Sequence, residues 1–383
     1  MFRELSSNVA IIALAFAASV GIAHAQSAPS AQGTSTGAVF AASNARNGNE
    51  ITMYARNPRG ALRLVGTFPT GGRGEGGIND PLQSSASVVA TPDHRFLLVA
   101  NAGSGDVSVF RILPEGLALA SVTPSGGGNP VSIAVHGNLV YVVNFGGNVH
   151  TAGFALEASG RLRHVKDSIR PLSSLDSNPS TVAFTPDGSR LVVSERLTNR
   201  IDVFTVDADG SLSNPVFNAS QGVEPFGLAF TPGGALLVTE AGSGATSSYA
   251  VEPDNTLGVI TRLAPSGGAA DCWVATDGRN AWVTNTVTGS IGAYAVARNG
   301  ALDPLGVVAS VPAAEPVLFP DIEPATSFPL DIAVSDDDRF VYVDFSDTGR
   351  IVGYRIAANG ALSKIADVPD GEPQTGVEGL AAY

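Results

Sequence analysis

This sequence predicts an all-β fold, a seven-bladed β-propeller of four-stranded antiparallel blades, and three observations carry the prediction. A glycine or asparagine turn followed by a leucine recurs seven times, the stretches between turns alternate apolar and polar residues, and the first and last units are incomplete in complementary ways. The turns are Asn57-Pro58-Arg59-Gly60-Ala61-Leu62, Pro114-Glu115-Gly116-Leu117, Ala158-Ser159-Gly160-Arg161-Leu162, Ala208-Asp209-Gly210-Ser211-Leu212, Pro253-Asp254-Asn255-Thr256-Leu257, Arg298-Asn299-Gly300-Ala301-Leu302 and Ala358-Asn359-Gly360-Ala361-Leu362. Six steps cover the 300 residues from Gly60 to Gly360, a mean period of 50, at the upper end of the roughly 40–50 residues of a propeller blade.

Each repeat runs in the same order. In the fourth, an apolar strand at 181–184 leads through Pro186-Asp187-Gly188 to a second at 191–194. The loop Leu197-Thr198-Asn199 leads to an alternating strand at 201–206, and the Asp209-Gly210 turn to a last one at 212–217. Asp-Gly turns between period-2 runs read as antiparallel hairpins, and four strands make one blade. The first unit lacks an innermost strand, since residues 39–43 already match a second strand. The chain ends on Gly376-Val377-Glu378-Gly379-Leu380-Ala381-Ala382-Tyr383, which matches the innermost strand of the other repeats. The C-terminus is therefore expected to complete blade one, closing the ring and removing its open edges.

Arg3, an apolar run over 9–23 and Ala23-His24-Ala25 form a signal peptide over residues 1–25. Residues 26–37, rich in Ser, Gly, Ala, Gln and Thr, read as a flexible leader, and the propeller occupies 38–383. The mature chain is expected in the periplasm or the medium, as a monomer with no membrane span. A net charge of −13 argues against a nucleic-acid partner. With 44% hydrophobic and only 15% charged residues, buried strands fit better than disorder. The single cysteine, Cys272, excludes an internal disulfide and reads as a small buried side chain. His94, His136, His150 and His164 have no zinc-ligand spacing. Gly33-Thr34-Ser35-Thr36-Gly37 lacks the strand and helix of a nucleophile elbow. The glycine-rich run 71–77 lacks the Lys-Ser/Thr ending of a phosphate loop.

Long connections at 69–85, 170–179 and 307–329 all fall on the face that carries the strand-two-to-three loops. Long loops on a rigid scaffold are where binding concentrates, so this is the candidate functional face. Two rings of positions open toward it: Asn44, Asn101, Asn144, Glu195, Glu240, Asn285 and Asp344 at the ends of second strands, and Ala86, Val131, Ser180, Phe226, Asp271, Leu330 and Glu378 at the starts of first strands. Carboxylates from these rings and from Asp331 could converge near the central channel and recruit a divalent cation. Asn and Asp also cap turns through backbone amides, whereas Glu195 and Glu240 are poorer turn formers and stand out as candidates for chemistry.

The segments Val99-Ala100-Asn101-Ala102-Gly103-Ser104-Gly105-Asp106-Val107-Ser108-Val109-Phe110, Val142-Val143-Asn144 and Val283-Thr284-Asn285 resemble the bacterial lactonase family of seven-bladed propellers, which includes 6-phosphogluconolactonase and the carboxymuconate-cycloisomerase propellers. The resemblance spans residues 38–383 and implies hydrolysis of a lactone ester, with Glu240, joined by Glu195, activating water. Asn101, Asn144, Phe226, Asp271, Asn285, Asp331 and Glu378 would line the substrate site. A middle blade of that family reads Pro-Arg-His and then Val-Asn-Glu; here the matching segments are Pro225-Phe226-Gly227 and Val238-Thr239-Glu240. The glutamate is kept while the arginine and histidine places hold Phe226 and Gly227, and Asn178-Pro179-Ser180 stands where the preceding blade usually offers another histidine. The alternative reading is a non-catalytic propeller that binds a small ligand, a cation or a protein segment.

Overall fold

The computed structural model describes residues 36–78, 80–314 and 326–383; the signal-peptide segment and nearly all of the leader lie outside the described residues. Seven antiparallel sheets follow one another in a ring. The first is made of Gly37–Ala42, Glu50–Arg56, Leu62–Pro69 and, at its inner edge, Leu380–Ala382. The others cover 88–124, 128–164, 179–219, 225–265, 271–310 and 329–369, with a short extra strand, Arg170–Pro171, on the third. Ala241–Ser243 forms the one helical turn among the described residues, and no helix there is long and apolar enough to cross a membrane.

Second strands such as Phe96–Asn101 and Phe340–Phe345 are buried along their whole length. Alternate side chains point to opposite faces of a strand, and in a propeller each face meets a neighbouring blade. Leu98 thus packs toward the third blade with Val140 and Val142, while Leu97 and Val99 pack toward the first with Phe40. Each of the seven blade junctions holds one such core. At about 1.5–3 kcal/mol per fully buried large aliphatic or aromatic side chain, these cores dominate the stability. Outermost strands alternate half-buried and exposed residues, as at Leu62–Pro69, because one face meets water.

Six of the seven recurring turns are built alike. Gly60, Gly160, Gly210, Asn255, Gly300 and Gly360 share a left-handed backbone, φ +68° to +86°, which explains the glycine-or-asparagine choice. In the third, sixth and seventh blades a second-strand aromatic donates to the turn glycine of the next blade: Tyr141 Oη to Gly210 O at 2.5 Å, Trp282 Nε1 to Gly360 O at 2.9 Å and Tyr342 Oη to Gly60 O at 2.8 Å. The turns therefore lock neighbouring blades on the face away from the long loops.

Candidate functional site

The ring at the ends of second strands ties blades together. Its members accept hydrogen bonds from a hydroxyl on the segment that enters their blade: Thr70 to Asn101 at 2.9 Å, Ser125 to Asn144 at 2.6 Å, Ser220 to both oxygens of Glu240 at 2.7 Å, and Ser266 to Asn285 at 2.8 Å. Ser173 holds Glu195 in the same way, through its amide at 2.7 Å and its hydroxyl, with Thr198 as a further donor. A glycine two residues after the hydroxyl permits the close approach: a Cβ on Gly72, Gly127, Gly222 or Gly268 would fall 2.3–2.7 Å from the ring side chain. This hydroxyl-x-glycine repeat was legible in the sequence, yet it was not among the signals that located the rings.

Glu195 and Glu240 are fully buried, each held by the hydroxyl of the segment entering its own blade. Tyr249 Oη also donates to Glu240 at 3.2 Å, and burial holds the Glu240 carboxyl above its usual range against these donors. Two members assigned to this ring are displaced. In the seventh blade the last ladder pair is Phe345 with Arg350, so Asp344 lies one residue earlier and faces the opposite side; in the first blade the ladder stops at Ala42 and Asn44 lies beyond it. A longer loop in blade one and an apolar residue at the blade-seven ring position hid the register. Asp271 is likewise one residue earlier than its ring, opposite Asn285, and is bonded by Ser266 at 2.7 Å and Tyr294 at 3.3 Å.

The mouth of the channel is crossed by the chain itself. Residues 80–87 of the long connection between the first two blades reach the inner strands, or their leads, of the first, third, fourth and sixth blades. Trp273 Nε1 donates to Ser84 O at 2.9 Å, Ser85 N to Ser180 O at 3.0 Å, Ser84 Oγ to Val131 O at 2.8 Å, and Leu82 N to Glu378 Oε2 at 2.8 Å. Gln83 and Ala86 hold positive φ values of 52° and 62°, a backbone cost concentrated where non-glycine residues cluster at functional sites. Glu378 and Asp331 are buried beneath this segment. Burial and the negative charge of Asp80 raise both, Asp331 to about 8. The divalent cation expected for the channel has no set of three or more His, Cys, Asp or Glu placed to hold a metal among the described residues.

A cation does reach the mouth, from a residue that the sequence motifs did not single out. Arg196 follows Glu195, and its guanidinium carbon lies 5.3 Å from the ring centroid of Phe226. Arg196 donates to Gln83 Oε1 at 2.6 Å, lies 3.8 Å from Glu224, and keeps an Nε–H with no hydrogen-bond partner. Phe226 is buried as the floor under it, packed on Trp273 at 4.8 Å. Half-buried Asp80 completes the group: burial pushes it up to about 6, and Arg196 pulls against that rise. Phe226, Asp331 and Glu378 are therefore brought together, with Arg196 and Asp80 above them. Cys272 lies near the same channel, buried, with its thiol pushed up by burial and held neutral.

A profile of the family described as "Lactonase, 7-bladed beta-propeller" matches residues 47–171 and again 149–264, more than half of the chain. The chain belongs to this family. Among solved structures, the lactonase-family chain is similar to the periplasmic gluconolactonase PpgL of Pseudomonas aeruginosa, at 19% identity and TM-score 0.69, over 91% of this chain and 99% of that one. It is similar to a putative 6-phosphogluconolactonase of Bacteroides fragilis at 16% identity and TM-score 0.64, over 93% and 99%. It is similar as well to virginiamycin B lyase of Staphylococcus aureus at 11% identity and TM-score 0.52, over 76% and 86%. At these identities the likeness is one of fold, and the same propeller hosts different chemistries.

One carboxylate of this lactonase-family propeller outside the mouth carries a pH prediction. Asp202 faces Glu195 in the fourth blade, no N–H or O–H donor of another residue reaches its oxygens, and burial, followed by the charge of Glu195 and a carboxyl–carboxyl hydrogen bond to it, pushes it up to about 9. A carboxyl whose folded pKa exceeds its unfolded value near 4 contributes no penalty below that value and costs stability as pH climbs toward 9. Asp202→Asn is thus expected to raise Tm by about 5 °C at pH 8.5 and to leave it nearly unchanged at pH 4.5, by scanning calorimetry. Equal Tm shifts at both pH values would mean that packing rather than charge is at stake.

Proposed function

We propose that this propeller hydrolyses a lactone at the channel mouth, with Asp80 as general base and Arg196 as the group that stabilises the oxyanion. The observation that supports this most directly is the placement of Arg196 over Phe226 and beside Asp80, which returns a cation to the place where the family's arginine is missing. Asp80, near pKa 6, is mostly ionised at neutral pH and only half-buried, the condition a general base needs. It takes a proton from water as the oxygen attacks the lactone carbonyl. The carbonyl oxygen gains charge beside the Arg196 guanidinium, whose positive charge stabilises it. The ring C–O bond then breaks, and the Asp80 proton passes to the leaving alkoxide, giving a hydroxy acid. The reading includes export after cleavage at Ala25, which N-terminal sequencing of the mature chain checks.

A panel of lactones assayed with the mature protein tests the activity, and Glu240→Gln tests the site. The amide keeps an acceptor for Ser220 and Tyr249, so the rate is expected to stay within about fivefold of the parent. A loss of about 100-fold or more at unchanged Tm would move the general base to Glu240. The segment 80–87 across the channel favours a second reading, a propeller that holds its ligand at the rim without turnover. Calorimetric binding of a lactone with no ring opening would select it.

A further inference from the structure

Two carboxylates occupy positions where other blades carry neutral hydroxyls, and both lie at the junction between the seventh and first blades. Asp344 precedes the last ladder residue of its second strand, as Ser194, Thr239 and Thr284 do in the fourth, fifth and sixth blades. Those hydroxyls serve the backbone of inner strands: Ser194 donates to Phe226 O at 2.6 Å, Thr239 to Cys272 O, and Thr284 accepts from Trp273 N at 3.2 Å. Asp370 follows its outermost strand, as Thr70, Ser125, Ser220 and Ser266 do. A carboxylate in either place cannot make the same donor bonds.

Asp344 is 1% exposed and Asp370 5%; no N–H or O–H donor of another residue reaches either oxygen of Asp344 or the Oδ2 of Asp370, and the two carboxyls lie within hydrogen-bonding reach of each other. The two acids interact with one another, and Asp331, whose Oδ2 is also unpartnered, adds its charge from the inner strand. Tyr54 of the first blade lies against Asp370 but gives its hydroxyl to Pro369 O. Arg350 and Lys364 are spent on Asp367. Burial raises both carboxyls well above their usual range, and the Asp370 charge raises Asp344 further, so the pair can be ionised in this dry junction only beside a neutralising partner.

We propose that this ring-closing junction is a site for a hard divalent cation of the calcium class, held by Asp344 and Asp370. Their combined charge matches such an ion, and its remaining oxygens would come from backbone carbonyls and water, as calcium sites accept. Oxygen-only donors disfavour zinc and copper. The site lies where the sheet of blade one is closed by only three residues of the C-terminal strand, so its ion would fasten the ring.

The test uses the mature chain stripped with a chelator and then titrated with calcium chloride at pH 7.5. Tm is expected to rise by about 3–5 °C at a saturating concentration, with equilibrium dialysis giving one ion per chain. Asp344→Thr with Asp370→Ser, which restores the residue types of the other blades, is expected to abolish the calcium response and to raise the Tm of the stripped protein. Terbium(III) luminescence sensitised by tyrosine, falling in Tyr54→Phe, places the ion without relying on the double variant. No bound calcium in dialysis of the parent chain, or a calcium response kept in the double variant, overturns the proposal. A parent chain stabilised by acidification but not by calcium would replace the cation with a shared proton.

Discussion

Removing residues 376–383 is expected to leave a chain that aggregates or loses cooperative unfolding. Three ladder pairs go with it, Ala41 with Leu380, Phe40 with Ala381 and Val39 with Ala382, together with the backbone bonds that Tyr383 exchanges with Ala38. The strand laid bare, Gly37–Ala42, is buried along its entire length, so the new edge is long, apolar and ready to pair with another molecule. Two further losses act at a distance. Glu378 no longer anchors residues 82 and 84 across the channel, and Tyr383 no longer stacks at 4.0 Å on His94, which reaches the seventh blade through Asp336. Light scattering and calorimetry of the truncated chain read the outcome. A soluble monomer with the parent's Tm would mean that the ring does not depend on this strand for closure.

The closing strand was legible because blades repeat, so a missing strand at one end and a surplus strand at the other can be matched by pattern. Continuous apolar runs made the second strands equally plain: each is enclosed by two blades, so both faces are buried. The site was legible only in part. Loop length singled out the face that carries the proposed site, but the repeat pattern that finds a fold is blind to what breaks it. Glu195 and Glu240 stood out as poorer turn formers, and each accepts from an entering-segment hydroxyl as Asn101, Asn144 and Asn285 do. Arg196 and Asp80 lie in loops of unrelated blades, 116 residues apart by their numbers, and only the path of residues 80–87 over the channel joins them. Nothing local in the sequence signals that crossing. The same blindness to register hid Asp344, whose neighbour Phe345 takes the ring position.

Arg196→Ala is expected to lower kcat/KM for the hydrolysed lactone by about 100- to 1000-fold, the effect of removing one oxyanion donor. Arg196→Lys should recover only part of this, since an ammonium keeps the charge but not the planar group over Phe226. A purely structural arginine could also cost activity, because it holds Gln83 in the segment over the channel. Two measurements separate the roles. Gln83→Ala removes that hydrogen bond and leaves the guanidinium, so its rate should remain within about fivefold of the parent on the present assignment. The acidic limb of the pH–rate profile reports Asp80, which Arg196 holds down against the rise from burial. Loss of the guanidinium must therefore move that limb to higher pH, and Asp80→Asn must remove it along with most of the rate. An Arg196→Ala enzyme with parental kcat/KM would exclude the guanidinium from the reaction. A rate loss with the acidic limb unmoved would leave Arg196 as a tether for the channel segment and separate it from Asp80.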